Sequence, residues 1–214
     1  MDLLGAGLDF FLHLDRYLAE VIAQYGLWTY GLLILIVFLE TGVVVTPFLP
    51  GDSLLFAAGT FAALGSLDPW ILFWSLAAAA IAGDTLNYWV GRTIGPKAFS
   101  GKIRWLRQDY LRRTEEFYAQ HGGKTILLAR FVPIIRTFAP FVAGVGQMAY
   151  PRFLGYNVGG GTLWVGLFVF GGYFFGTIPV VQANFSVVVL GIIVVSVLPI
   201  LYEVVRGWQK ARAG

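Results

Sequence analysis

FLGYNVGGGTLWVGLFVFGGYFFGTIPVVQANFSVVVLGIIVVSVLPILY, residues 153–202, contains no Asp, Glu, Lys or Arg. A helix that crosses a bilayer needs about 20 predominantly apolar residues. This stretch therefore supplies two crossings, which we place at residues 153–178 and 184–205. A water-soluble fold of this size could not bury so much apolar surface, so the stretch predicts an integral membrane protein.

The composition of the whole chain agrees with that prediction. Hydrophobic residues make up 57% of the 214 residues and charged residues only 13%, against about 25% charged in an average soluble domain. The mean hydropathy is +0.73. There is no cysteine, which excludes disulfides, thiolate nucleophiles and thiolate metal sites. The N-terminus opens with acidic residues, so no cleaved signal peptide is expected, and residues 1–214 are interpreted as a single membrane domain.

The first interrupted apolar segment covers residues 27–67, LWTYGLLILIVFLETGVVVTPFLPGDSLLFAAGTFAALGSL. A regular helix cannot continue through its centre, because proline lacks the backbone donor and restricts the residue before it. Glu40 and Asp52 lie among aliphatic residues on either side of this break. Irregular backbone at membrane depth survives only inside protein or beside a wet cavity. We therefore predict an inward-facing broken hairpin, whose helix-breaking residues are Pro47, Pro50 and Gly51.

A second interrupted segment covers residues 125–149, TILLARFVPIIRTFAPFVAGVGQMA. Pro133 and Pro140 are predicted to break it, and Arg130 and Arg136 lie inside it. Both interrupted segments contain two prolines and an Ala-Gly pair, which resembles a weak internal repeat. Many transporters consist of inverted repeats whose discontinuous helices meet at the substrate site. The fold prediction is therefore an all-α membrane protein with two re-entrant, proline-broken helical hairpins packed among transmembrane helices.

The remaining segments complete this topology. Residues 8–25 combine apolar and charged residues at helical spacing, which predicts an amphipathic helix at the membrane interface. Residues 69–91 form another crossing. Residues 92–124 carry eight basic and three acidic residues, a net charge of +5, so the positive-inside rule places them in the cytoplasm. Within them, residues 97–122 predict a cytoplasmic amphipathic helix, and the basic C-terminus is placed on the same side.

Four charged residues lie beside the two breaks, namely Glu40, Asp52, Arg130 and Arg136. A charged side chain near the bilayer centre costs about 2.5–3.5 kcal/mol on insertion scales, so these groups must compensate one another or a ligand. One interpretation is purely structural, with neutral salt bridges that hold the hairpins together. The functional interpretation is favoured because breaks also collect free backbone groups and water.

Arginine is suited to a planar, bidentate grip on phosphate. Arg130 and Arg136 are therefore the predicted head-group ligands, assisted by half-helix N-termini. Glu40 and Asp52 are candidates to take up a proton during a transport cycle, since burial favours the neutral form of a carboxyl group. Asp84 is an accessory candidate, which either joins this polar cluster or pairs with Arg92. The three glycines at 159–161 are interpreted as a close helix contact.

Three motifs together resemble the DedA family, also called the SNARE-associated or VTT domain family. They are FLETGVVVTPFLPGDSLLFAAG at 38–59, GDTLNYWVGRTIG at 83–95 and ARFVPIIRTFAPFVAGVGQM at 129–148. Each element alone is a weak signal, but the combination of E-x(6)-P-x-x-P-G-D with R-F-x-P-x-x-R is specific. The resemblance covers residues 26–205, nearly the whole chain.

The resemblance implies a bacterial inner-membrane protein required for envelope integrity, cell division and resistance to cationic peptides and alkaline stress. Family members are implicated in translocating undecaprenyl phosphate or phosphatidylethanolamine, eukaryotic relatives are lipid scramblases, and several accounts invoke the proton motive force. The family's important acidic and basic residues fall here on Glu40, Asp52, Arg130 and Arg136. Its described fold, two re-entrant hairpins facing each other, matches the predicted one.

Four functions compete at this point. The favoured one is a flippase for a lipid phosphate, most of all undecaprenyl phosphate, driven by protons. The alternatives are a nonspecific phospholipid scramblase and a proton-coupled small-ion antiporter. An intramembrane enzyme is disfavoured, because neither histidine lies in the apolar breaks and the carboxylates lack metal-ligand spacing. The expected partners are a lipid and protons, without cofactor, metal or nucleic acid, and a homo-oligomer is compatible with this pattern.

Overall fold

The computed structural model describes residues 14–43, 51–98, 124–130, 133–192 and residue 194. Of these residues, 88% are helical and none lies in a strand, which confirms the all-α prediction for this part of the chain. The helices are α1 (Leu14–Tyr25), α2 (Trp28–Gly42), α3 (Gly51–Ala63), α4 (Pro69–Ala98), α5 (Lys124–Ala129), α6 (Pro133–Val145), α7 (Tyr150–Phe175) and α8 (Pro179–Ala183). Residues 185–192 are also helical.

The turn between α3 and α4 follows directly from local sequence. Gly65 adopts a φ of 81°, and the amides of Gly65 and Ser66 donate to Ala62 and Phe61 carbonyls. This is the Schellman arrangement that satisfies the last carbonyls of a helix and favours glycine. Asp68 then caps α4, because its Oδ1 accepts hydrogen bonds from two backbone amides of the first turn at 2.8 and 2.9 Å, and a proline follows at the first helical position.

Among the residues that the structure describes, two helices are long and apolar enough to cross a membrane. They are Pro69–Ile94 within α4 and Tyr150–Phe175, 26 residues each, or about 39 Å at the helical rise of 1.5 Å per residue. Only 39% of the most apolar window in α4 and 33% of that in α7 is buried within the protein. Most of their apolar surface therefore faces outward, as expected of helices that contact lipid.

The predicted breaks coincide with helix ends. In the first segment α2 ends at Gly42 and α3 begins at Gly51, while Pro47 and Pro50 lie outside the described residues. In the second segment α5 ends at Ala129 and α6 begins at Pro133. The two shorter apolar helices, Trp28–Gly42 and Ile135–Val145, are too short to cross a bilayer alone. The re-entrant course of both segments stays a prediction.

The prediction that Pro140 breaks the second segment is wrong, because Pro140 lies inside the continuous helix α6. A proline inside a helix removes one backbone bond and clashes with the preceding turn. Buried prolines are tolerated in membrane helices where neighbouring groups satisfy the freed backbone. At Pro140 the carbonyl that loses its helical donor is that of Arg136, and Asn87 Nδ2 donates to the adjacent carbonyl, that of Thr137, at 2.7 Å.

Three predicted segments fall partly or wholly outside the described residues. The described part of segment 8–25 is the helix α1, most of whose residues are exposed. The predicted cytoplasmic helix at 97–122 lies outside them except for the end of α4. Of the predicted crossing at 184–205, residues 185–192 are helical. The membrane position of all three segments stays a prediction.

The chain divides into two compact units. The first contains α1, α3, the start of α4 through Phe73, and α7 from Gly166 onward together with α8. The second runs over Leu32–Leu49 and Trp74–Val165, and so holds most of α2, most of α4, α5, α6 and the first part of α7. The three longest apolar helices are thus each shared between both units.

In the first unit, α3 crosses α7 through a pair of glycines. A Cβ on Gly59 would lie 2.0 Å from the carbonyl oxygen of Val169, and one on Gly172 would lie 1.9 Å from that of Phe56. Real side chains never approach so closely, so only glycine permits this crossing. Thr60 also donates to the carbonyl of Gly172 at 3.3 Å, which adds a polar bond between the two helices.

The second unit repeats this contact between α6 and α4. A Cβ on Gly144 would lie 2.0 Å from the carbonyl oxygen of Tyr88, and one on Gly91 would lie 2.1 Å from that of Phe141. In both units, each contacted carbonyl belongs to the residue three positions before the partner helix's glycine. Gly59 and Gly144 are the glycines of the two Ala-Gly pairs, so the weak internal repeat corresponds to the same helix crossing.

Candidate functional site

The second unit contains four charged side chains that are almost fully buried. Their exposed fractions are 1% for Glu40, 3% for Asp84, 4% for Arg130 and 8% for Arg136. Glu40 lies in the last turn of α2, Asp84 in the middle of α4, and Arg136 in the first turn of α6, while Arg130 directly follows α5. Buried charges at such depth must be paired.

Arg136 pairs with Glu40, Nη2 donating to Oε1. The guanidinium of Arg136 also lies over the indole ring of Trp164, with its central carbon 4.7 Å from the ring centroid. This is within the range of a cation–π interaction, which is strongest for Trp and away from water. Arg136 thus has one charged support from α2 and one uncharged support from α7.

Arg130 pairs with Asp84, Nη2 donating to Oδ2. The same nitrogen donates to Oδ1 of Asn157 on α7 at 2.5 Å. Asn157 is itself fixed, because its Nδ2 donates to the carbonyl of Ile81 at 3.0 Å and to the hydroxyl of Thr85 at 3.4 Å. Arg130 therefore also has one charged support, from α4, and one uncharged support, from α7.

Two glycines of α7 make room for Arg130. A Cβ on Gly160 would lie 3.1 Å from Arg130 Cδ, and one on Gly161 would lie 3.3 Å from its Nη2. Gly159 has no heavy atom within 4 Å of the corresponding position. Residues 159–161 were predicted to permit a close helix contact, and the last two of these glycines lie against the side chain of Arg130.

Asn87 fixes the two helices that carry Glu40 and Arg136. Its Nδ2 donates to the carbonyl of Thr41 on α2 at 3.3 Å and to the carbonyl of Thr137 on α6 at 2.7 Å. The helices α2 and α4 also approach closely at Gly83, where a Cβ would lie 2.0 Å from Thr41 Oγ1. Glu40 and Arg136 thus each precede a residue whose backbone Asn87 binds.

The structure resolves the two interpretations of Asp84, because Asp84 joins the buried cluster as the partner of Arg130. Arg92 instead donates to the hydroxyl of Tyr88 at 2.5 Å and to the carbonyl of Met148 at 3.2 Å. Asp52 is half-buried in the first turn of α3 and belongs to the first unit. Within the described part of the second unit, the carboxylates paired with the two arginines are Glu40 and Asp84, a set that the sequence only partly predicted.

No role in the site was predicted from the sequence for Asn157 or Trp164. Asn157 is a fully buried amide within an uncharged apolar span, and Trp164 is one of the largest fully buried side chains. Together with Gly160 and Gly161, they follow an i, i+3, i+4, i+7 pattern, which places them on one face of a helix. That pattern was the available signal, since a polar residue inside an apolar helix usually faces protein.

The two ion pairs leave none of these four side chains as an uncompensated buried charge. Each arginine is neutralised by a carboxylate, so the four side chains carry no net charge at neutral pH. Within the described part of the chain, Arg130 Nε has no hydrogen-bond partner, which leaves one donor unused. An anion that replaces a carboxylate would find a preformed guanidinium already supported from α7.

The chain was next compared with known proteins. The model of the VTT domain matches residues 49–174, more than half of the chain, and this span includes three of the four buried charges. The chain belongs to the DedA family. As a DedA family protein it is a membrane protein, in agreement with the two long apolar helices.

Relatives within this family extend the match over the entire chain. The chain is 56% identical to Protein DedA of Escherichia coli K12, over 99% of the chain and 98% of that protein. It is 43% identical to an uncharacterised membrane protein of Mycobacterium leprae, over 83% and 80% of the two chains. It is 36% identical to the inner membrane protein YghB of Escherichia coli K12, over 69% and 68%. No solved structure matches this DedA family chain.

Proposed function

We propose that this protein translocates a lipid phosphate across the membrane. The observation that carries this proposal is the pair of buried arginines contacted by one face of α7, each matched with a carboxylate that a head group can replace. Guanidinium is the side chain best matched to phosphate, because its planar donors engage two oxygens at once. A lipid tail would remain in the bilayer while only the charged head group enters the protein.

The same pairing argues against a small-cation antiporter. A cation site needs carboxylates whose charge is available, whereas Glu40 and Asp84 are each neutralised by an arginine. Because each carboxylate is compensated by its arginine, the two pairs present no excess negative charge that would attract a cation. An anionic head group is the charge that this cluster accommodates best. A transport role rather than an enzymatic one is part of the proposal.

Protons would drive the exchange in this scheme. Protonation of Glu40 would remove the negative charge that holds Arg136, and the guanidinium would then accept the phosphate. Deprotonation would restore the ion pair and release the lipid. Glu40 and Asp52 are the proposed proton carriers, and Glu40 is in direct contact with Arg136.

The lipid and the membrane are proposed from the family. Undecaprenyl phosphate is the expected substrate, because members of the DedA family are implicated in its translocation and because it carries a phosphate at the membrane surface. The proposed location is the bacterial inner membrane, where the name of the relative YghB places that protein. The basic residues 92–124 and the C-terminus are proposed to face the cytoplasm.

The test is translocation in vesicles. The purified protein is reconstituted in phosphatidylcholine vesicles with undecaprenyl phosphate, and the lipid exposed on the outer leaflet is measured over time. We expect Arg130→Lys and Arg136→Lys to lose most of the activity, because lysine keeps the charge but not the bidentate geometry. Arg152→Lys is the matched control, since Arg152 is exposed at the start of α7.

Translocation of a zwitterionic lipid is the measurement that could contradict the proposal. If phosphatidylcholine moves as fast as undecaprenyl phosphate and the arginine variants leave both rates unchanged, the protein is a scramblase and the ion pairs are structural. The neutral double variant Asp84→Asn/Arg130→Gln separates misfolding from loss of function, because it removes both charges together and leaves no unpaired ion.

The proton arm uses the isosteric amides. Glu40→Gln and Asp52→Asn are compared with the natural chain, with and without an imposed pH gradient. We expect the gradient to accelerate transport by the natural chain and to have no effect on the variants. A gradient response that survives both substitutions would rule out these carboxylates as proton carriers.

A further inference from the structure

We propose that Asn157 and Trp164 are the positioning residues of the phosphate site, holding Arg130 and Arg136 in place while their carboxylates are exchanged for the head group. This inference rests on the proposed function and assigns to α7 a role that the sequence did not suggest. The supports on α7 are uncharged, whereas those on α2 and α4 are carboxylates.

Each arginine is contacted by two kinds of group, a carboxylate and an uncharged side chain. Arg130 contacts the carboxylate of Asp84 and the amide of Asn157, and Arg136 contacts the carboxylate of Glu40 and the ring of Trp164. A phosphate can compete only with the carboxylates, because it carries the same charge and binds the same donors. The amide and the indole face do not compete with it, so they remain in contact during exchange.

The two residues of α7 that contact the arginines are held in place by their surroundings. Asn157 is fully buried and tied to α4 by two hydrogen bonds from its own amide nitrogen, and Trp164 is 1% exposed. Gly160 and Gly161, between them on the same face, admit the Arg130 side chain. Side chains locked by packing and by further hydrogen bonds hold a ligand site to the required precision.

Without Asn157 and Trp164, each arginine would lose the uncharged contact that persists once its carboxylate is exchanged. An arginine side chain released from its carboxylate has considerable rotamer freedom, and ordering it again costs part of the binding energy. Asn157 and Trp164 remove that cost. They should therefore determine the apparent affinity for the anionic lipid more than the maximal rate of its movement.

The experiment measures the initial rate of translocation against the content of undecaprenyl phosphate in phosphatidylcholine vesicles. Asn157→Leu removes the amide that accepts from Arg130, and Trp164→Leu removes the aromatic face under Arg136. We expect each to raise the half-saturating lipid content by about tenfold or more, which is the size of a charged hydrogen bond or a desolvated cation–π contact. Trp164→Phe, which keeps an aromatic face, should recover most of the affinity.

The control is Thr162→Val on the same helix, since the Thr162 hydroxyl bonds only its own turn of α7, at 2.8 Å to the Val158 carbonyl. It should leave the half-saturating content unchanged. Melting temperatures of all variants are measured in parallel. Variants that melt earlier with unaltered half-saturating content would show that Asn157 and Trp164 only stabilise the fold.

The outcomes separate this inference from the proposed function. If the natural chain moves zwitterionic lipid equally well, or its rate does not saturate with undecaprenyl phosphate, the proposed function fails and this inference fails with it. If the natural chain is saturable and selective, yet Asn157→Leu and Trp164→Leu keep its half-saturating content, only the positioning role is overturned.

Discussion

Charged residues that are buried in this protein need a partner of opposite charge. An unpaired charge in the bilayer interior is costly, and removing one member of a buried ion pair costs more than the pair itself contributes. Arg130 is compensated by Asp84 and Arg136 by Glu40. The pairing of these buried charges therefore determines which substitutions the fold tolerates, independently of transport.

The Asp84–Arg130 pair provides the test at this scale. We expect Asp84→Asn to lower the free energy of unfolding by about 3 kcal/mol, because Arg130 is left as an uncompensated buried charge. The double variant Asp84→Asn/Arg130→Gln should lose less than the sum of the two single variants. The measurement is unfolding of the purified protein in detergent, analysed as a double-mutant cycle.

Asp68→Asn is the matched control for that cycle. Asp68 is exposed and caps α4, and asparagine caps a helix as well as aspartate does. Its unfolding should remain close to that of the natural chain. Strict additivity of the Asp84 and Arg130 substitutions would contradict the ion pair.

At the scale of elements, glycines decide how the helices meet. The short helices α3 and α6 each cross a long helix at a glycine pair, with backbone carbonyls where a side chain would otherwise stand. Without a hydrophobic force between helices in lipid, such close van der Waals contact is a principal source of association. The position of Arg136 on α6 thus depends on the crossing at Gly144, two turns further along the helix.

A single methyl group should disrupt that crossing. In Gly144→Ala the new Cβ would stand 2.0 Å from the carbonyl oxygen of Tyr88, so the helices must separate. Overpacking of this kind costs about 1–3 kcal/mol or more. We expect a lower melting temperature in detergent and weaker binding of the phosphate lipid.

Gly159→Ala is the control for this prediction, because nothing lies within 4 Å of its Cβ position and alanine favours a helix. It should melt at the same temperature as the natural chain or slightly above it. Equal melting temperatures for the two variants would show that the crossing accommodates a side chain.

The whole molecule presents most of the apolar surface of α4 and α7 outward. A helix of this length crosses the hydrocarbon core once. Residues before and after α4 should therefore lie on opposite sides of the membrane. The charge of residues 92–124 predicts that the C-terminal side of α4 is cytoplasmic.

Single cysteines can test this topology, since the natural chain contains none. We expect Ser66→Cys, in the exposed turn before α4, to react with a membrane-impermeant maleimide added to intact bacterial cells whose outer membrane is permeabilised. Ser100→Cys, in the basic segment, should react only after the inner membrane is opened. The cysteine-free chain gives the background, and labelling of both positions from the same side would contradict a single crossing by α4.

The sequence by itself determined the class of protein, the helical breaks and most of the charged set. Membrane insertion is governed by hydropathy along the chain, and helix ends are governed by nearby prolines, glycines and caps, so both are readable from local sequence. Glu40, Arg130 and Arg136 could also be identified from local sequence, because burying a charge within an apolar segment has an energetic cost. Pro140 was misjudged because a proline can be accommodated inside a membrane helix that packs against other helices.

Only the tertiary structure decided which groups meet. Glu40 and Arg136 are 96 residues apart in the chain, Asp84 and Arg130 are 46 apart, and Asn157 and Arg130 are 27 apart. No local pattern encodes such pairings, because they depend on which faces of α2, α4, α6 and α7 the glycine crossings turn toward one another. The exchangeable carboxylates and the uncharged supports on α7 are therefore properties of the packing of these helices.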